Sequence, residues 1–161
     1  MRKINGVAAV FVTILAMGMT ANAGQTPMNN LKLRVVTDRK TYAANAPIKM
    51  TFTIKNTSAM PITLTYSDGK RYDFEISTGR NTGGKAENTL WHWSKNLSFT
   101  QDIGTETLGA GKILTYTETY KPGTPTIPTL KPGIYTLTAY PTPLDKALPR
   151  ATTTFKIVAA K

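Results

Sequence analysis

The sequence predicts an all-β domain, an antiparallel sandwich of about eight strands in two sheets. Three observations carry that expectation. Apolar residues recur with period two in short runs from Leu31 onward, 28 threonines favour the pleated strand through their β-branch, and no stretch after Gly24 repeats apolar residues at helical spacing. The ten prolines fall between the runs or at their margins, where no ladder hydrogen bond is lost. At 161 residues and 40% hydrophobic content, the chain suits one domain with a core large enough to fold without disulfides.

Residues 1–23 read as an export signal and are set apart from the fold. Arg2 and Lys3 give a positive start, Val7 to Met19 is nearly all apolar, and Ala21-Asn22-Ala23 is a small-x-small cleavage site ending at Ala23. Ile4 to Met19 falls short of the roughly 20 residues that span a bilayer, so the expectation is cleavage rather than membrane insertion. The product is then soluble, secreted or periplasmic. Residues 24–30 are polar and expected to fray, which leaves 31–161 as the domain.

Within it, Leu31, Leu33 and Val35 alternate with Lys32 and Arg34, and Ile48, Met50, Phe52 and Ile54 alternate with Lys49, Thr51, Thr53 and Lys55. Each strand shows one wet face. Ile62, Leu64 and Tyr66 follow, then Ser67-Asp68-Gly69-Lys70 turns the chain into Tyr72, Phe74 and Ile76, which reads as a hairpin with Gly69 permitting the turn. Later strands are expected at Leu90–Ser94, Lys112–Tyr120, Gly133–Tyr140 and Thr152–Val158. Two connections exceed what hairpins need, Ser77–Thr89 and Lys121–Lys131.

Twenty Lys and Arg against nine Asp and Glu give a net charge of +11. The basic residues are scattered rather than clustered, so nucleic acid is not an expected partner, and the charge instead biases association toward anionic envelope polymers. Without cysteine and with His92 as the single histidine, thiol nucleophiles, Cys-ligated zinc and two-histidine sites are excluded. Neither a metal nor a cofactor is expected. His92 lies between Trp91 and Trp93, so on a strand its side chain points away from theirs, toward solvent. Asp73 and Glu75 share a strand face beside Lys70 and Arg71, which reads as a solvated or ion-paired face rather than an acid–base pair. The expected protein binds and is not an enzyme.

Several runs carry a family likeness. They are Phe52-Thr53-Ile54-Lys55-Asn56-Thr57-Ser58, Gly69-Lys70-Arg71-Tyr72-Asp73-Phe74, Trp91-His92-Trp93-Ser94, Phe99-Thr100-Gln101, Leu108-x-x-Gly111 and Pro132-Gly133-x-Tyr135. In this order, over about residues 33–140, the chain resembles the BsuPI intracellular proteinase inhibitor family. The resemblance implies an immunoglobulin-like sandwich that binds and blocks a subtilisin-like serine protease without catalytic residues of its own. His92 stands where that family's pattern is expected to carry arginine. Physically, Gly69, Gly111 and Gly133 suit tight turns and strand starts, while Tyr72, Phe74, Trp91 and Trp93 suit a core; with Asp73, Phe99, Gln101 and Tyr135 they are read as structural.

An inhibitor of this kind needs a protruding loop held stiff in extended form. Lys121–Lys131, with Pro125, Thr126, Ile127 and Pro128 at its centre, is the stiffer candidate, whereas Ser77–Thr89 offers the basic Arg80 and Lys85 on a glycine-rich segment. The competing reading is a non-inhibitory envelope, carbohydrate or protein-binding module with Trp91 and Trp93 as an exposed platform. A monomer is expected in either case.

Overall fold

The computed structural model describes residues 30–79, 88–144 and 148–160. The signal segment, with Ala21 and Ala23, lies outside the described residues, as do Arg80 and Lys85. The strands are β1 (Leu31–Thr37), β2 (Thr41–Ala43), β3 (Ile48–Asn56), β4 (Ile62–Tyr66), β5 (Tyr72–Thr78), β6 (Thr89–His92), β7 (Gly104–Leu108), β8 (Ile113–Tyr120), β9 (Gly133–Pro141) and β10 (Ala151–Val158). A short 3-10 turn, Trp93–Asn96, follows β6.

The alternation in β3 fixes which way the first sheet faces. Ile48, Met50, Phe52 and Ile54 are buried, and β3 pairs antiparallel with β1 on one side and β8 on the other. The second sheet has the order β2-β10-β9-β5-β6, with β2 parallel to β10 and the other pairs antiparallel. Phe74 and Ile76 from β5 and Leu137 and Ala139 from β9 meet the first sheet's inner face, and Phe74 sits edge-on to Phe52 at 6.3 Å. This strand order is that of an immunoglobulin-like sandwich, as the sequence led us to expect.

Two strands escape the sequence pattern. β2 is only three residues long, and β7 buries a single apolar side chain, Leu108, so neither carries a readable alternation. The expected hairpin is also not formed. β4 pairs with β7 in a separate two-stranded sheet, while β5 lies between β9 and β6, so Ser67–Lys70 carries the chain from one sheet to another. The reason lies in β5, which is covered on both faces: Asp73, Glu75 and Ser77 are buried as well as Phe74 and Ile76. A strand buried on both sides needs a neighbour along each edge. Gly69 serves the crossing through a close approach, its N–H donating to the Thr100 carbonyl at 2.8 Å. At the start of the domain, the Asn30 carbonyl accepts from Thr57 N and Oγ1 at 2.8 and 3.0 Å, so this residue is anchored rather than frayed.

Candidate functional site

The connection from β8 to β9 projects from one end of the sandwich, and its own residues pin it. Tyr120, the last residue of β8, donates its hydroxyl to the Pro128 carbonyl, and Tyr135 of β9 donates to the Lys131 carbonyl at 2.7 Å. Leu130 is buried in the core cluster. Burial pushes the Tyr120 phenol up to about 12, so at ordinary pH it remains a donor. At the tip, Ile127 N–H donates to the Thr124 carbonyl at 3.1 Å and Gly123 N–H to the Ile127 carbonyl at 3.2 Å. Thr124 to Ile127 is therefore a tight turn with proline at its second position, where the fixed φ of the ring suits it. Gly123 supplies the left-handed φ of 85° that leads into it. Pro125, Thr126 and Pro128 are exposed, and Ile127 is half-buried. Stiffness is thus present, but the tip is folded back on itself rather than extended.

Two hollows flank the loop. One of about 410 Å³ opens at the end of the core, between Thr78 and Leu90 on one side and Leu130 and Tyr135 on the other. The second, about 250 Å³, runs between Trp91, Trp93 and Leu97 on one wall and Glu118 and Ile127 on the other. The structure thereby brings the tip of the proline-rich loop beside the Trp-His-Trp segment, two features far apart in sequence.

The tryptophans belong to the packing. Trp91 is 8% exposed and meets Tyr120 edge-on at 5.1 Å. Trp93 stacks on Tyr72 at 4.7 Å, Tyr72 stacks on Tyr116 at 4.3 Å, and Phe99 leans on Trp93 at 5.8 Å. In this column Trp93 is half-buried, with Tyr72 stacked on it and Phe99 tilted against it. Tyr72 also donates to Glu118 at 2.6 Å, which ties β5 to β8 across the layers.

Asp73 and Glu75 are ion-paired, as expected, but within the protein rather than in solvent. Asp73, 2% exposed, pairs with Lys70 at 2.7 Å and accepts from Ser94 N and Oγ. Glu75, 5% exposed, takes both oxygens to Arg150 at 3.0 Å and accepts from Tyr140 at 2.6 Å. His92 is half-exposed with Nδ1 3.6 Å from Glu75, so it leans on the sheet rather than standing free in water. Of the other motif residues, Gly111 carries a positive φ of 69° in the β7–β8 turn, Gly133 opens β9, and Tyr135 stacks on Phe155 at 5.7 Å. Gln101 is exposed beside the Phe99 carbonyl.

Sequence reasoning missed Glu106, Arg150 and Leu130. Glu106 of β7 accepts from Tyr116 at 2.7 Å and lies 3.9 Å from Arg71, which joins the small sheet to the sandwich. Its only signal was an acid alternating with threonines. Leu130 could have been found as the one large aliphatic residue between the last prolines of its loop.

The model of the family described as BsuPI, intracellular proteinase inhibitor, matches residues 35–142, from within β1 to just beyond β9. The chain belongs to the BsuPI family. Membership implies a proteinase inhibitor domain. No curated protein matches this BsuPI chain. Among solved structures it resembles the sporulation control protein Spo0M from Bacillus subtilis, with 10% identity over 82% of this chain and 50% of that one and a TM-score of 0.50. It also resembles the CARDB domain of PF1109 from Pyrococcus furiosus, with 14% identity over 81% and 94% and a TM-score of 0.44. A third is the β-glucosidase EmGH1 from Erythrobacter marinus, with 11% identity over 80% and 15% and a TM-score of 0.45. The BsuPI chain spans half or less of the first solved structures it resembles, and at these identities the likeness is one of fold alone. Among the described residues, no helix is long and apolar enough to cross a membrane.

Proposed function

We propose that this protein is an exported inhibitor of a subtilisin-like serine protease, which it blocks with the turn Thr124–Ile127. The family match over residues 35–142 is the observation that carries the reading. The loop supports the choice of contact. A protease cleaves a chain drawn into extended form, and a tip closed by the Thr124–Ile127 hydrogen bond, with no N–H on Pro125, resists that, so the contact is made by a folded turn that escapes cleavage and not by the extended segment expected from sequence. Because Tyr120, Leu130 and Tyr135 hold the base of the loop in the free protein, little ordering remains to oppose binding.

Export follows from the sequence of residues 1–23, and the acting form begins at Gly24, in the periplasm or the medium, with 31–161 as its folded unit. Mass spectrometry of the exported protein checks this; a species that retains Met1 would contradict it. For the inhibitory contact, Pro125→Gly with Thr126→Asp should abolish inhibition of serine proteases while leaving the unfolding transition in place, because both side chains are exposed. Arg80→Ala with Lys85→Ala is the competing pair. If it abolishes inhibition and the tip pair does not, the contact belongs to the other long connection.

A further inference from the structure

The two sheet edges of the first layer are built differently. β1 presents Lys32 and Arg34, exposed, along its free side. Were two copies of β1 to pair antiparallel about Leu33, Lys32 of one would face Arg34 of the other, a like-charge contact of the kind that keeps edge strands apart. β8, at the opposite edge, is eight residues long and carries neither Pro, Lys nor Arg. Its outward side chains are Ile113, Thr115, Thr117 and Thr119, all exposed, and among the described residues its backbone pairs with β3 alone. The remaining edges are short or capped: β2, β6 and β7 have three, four and five residues, and β4 accepts Leu144 N–H at the Thr65 carbonyl at 2.7 Å. Natural sheets guard their long edges with lysine, proline or inward-pointing charge, and the one charge on β8, Glu118, is half-buried and engaged by the Tyr72 hydroxyl of its own chain.

We propose that β8 is a self-association edge, pairing antiparallel with β8 of a second copy about a two-fold axis at Thr117. Keeping each copy's inner face on the same side requires a residue at the axis, which narrows the register to few choices. Centring on Glu118 would oppose two carboxylates, and centring on Tyr116 would set Leu114 against Glu118. Centring on Thr117 places Tyr116 against Glu118, Thr115 against Thr119 and Ile113 against Lys121, with no like charges opposed and β-branched side chains paired across the seam. The result is one continuous sheet, β1-β3-β8-β8-β3-β1, whose outer edges are the basic β1 strands, so the pairing closes at two copies. Antiparallel pairing also sends the two 121–131 loops to opposite ends of the shared sheet. This dimer replaces the single-copy state expected from sequence and does not depend on the inhibitory reading.

The test is sedimentation velocity on the protein purified after expression with its own N-terminal segment, over a dilution series. The expected result is a concentration-dependent dimer. Thr117→Lys and Thr117→Glu should each be monomeric with an unchanged circular dichroism spectrum and unfolding midpoint, and an equimolar mixture of the two should recover the dimer. A wild-type protein that stays monomeric at every concentration overturns the proposal, including the case in which β8 instead accepts an extended peptide from another protein. So does a dimer that Thr117→Lys leaves intact, which would place the contact on another face.

Discussion

At Gly69 the constraint is a neighbour rather than a dihedral. A Cβ there would stand 2.6 Å from Thr100 Oγ1 and 3.2 Å from Thr100 N. The hydroxyl can rotate away, but the Thr100 backbone is held close by the hydrogen bond its carbonyl accepts from Gly69 N–H. Gly69→Ala should therefore destabilise by about 1–3 kcal/mol, the range for forcing extra volume into a packed site. Urea unfolding checks it, and Thr100→Ala in the same chain should recover part of the loss. A change below about 0.5 kcal/mol, the scale of an ordinary surface substitution, would mean that the crossing from β4 to β5 is loosely held. Beside this crossing, Lys70 pairs with the buried Asp73, and Arg150 with Glu75, so the outer face of β5 is closed by ion pairs instead of water.

At the scale of elements, the β8–β9 loop is part of the core at its base and free at its tip. Replacing all of Lys121–Lys131 with a Gly-Ser linker would remove Leu130 from the core and leave the Tyr120 and Tyr135 hydroxyls without their carbonyls. We expect that exchange to cost about 2–5 kcal/mol, mostly the Leu130 cavity, and confining the linker to Pro125 and Thr126 to cost less than about 1 kcal/mol. Equal costs would contradict the division into base and tip. One leucine and two tyrosine hydroxyls thus join the base of the loop to the sandwich. Elsewhere, the sequence made β1, β3, β8, β9 and β10 legible because one face of each is apolar and the period of two survives. It could not show β7, whose Gly-Thr-Glu-Thr-Leu run buries one apolar residue, nor the partner of β4, because Ser67–Lys70 is as compatible with a crossing as with a hairpin. The proline-rich loop was legible as a stiff segment. Its proximity to Trp91 and Trp93 was not, since that follows from packing β8 against the edge formed by β6.

Across the whole molecule, tyrosines join the layers. Burial raises the phenols of Tyr66, Tyr72, Tyr116 and Tyr140 well above the usual tyrosine range, with Glu106, Glu118 and Glu75 beside them adding to the shift, and it pushes Tyr120 up to about 12. A raised phenol favours the folded state in its neutral form. That stabilisation is complete below the ordinary tyrosine value near pH 10 and is lost as pH climbs toward the folded values, so the unfolding midpoint should fall steeply above about pH 10. Tyrosinate absorbance should rise together with the loss of β-sheet circular dichroism; ionisation of these phenols in a chain that stays folded would contradict their placement. On the proposed reading, this sandwich blocks a protease through a prefolded tip. The most direct measurement is residual activity of an active-site-titrated subtilisin-type serine protease against increasing protein, with cysteine and metalloproteases alongside. A linear fall to a one-to-one end point is expected for the serine protease alone, with the 121–131 loop uncut in the complex. Full activity at excess protein, or cleavage of the protein at Arg80 or Lys85, would contradict it.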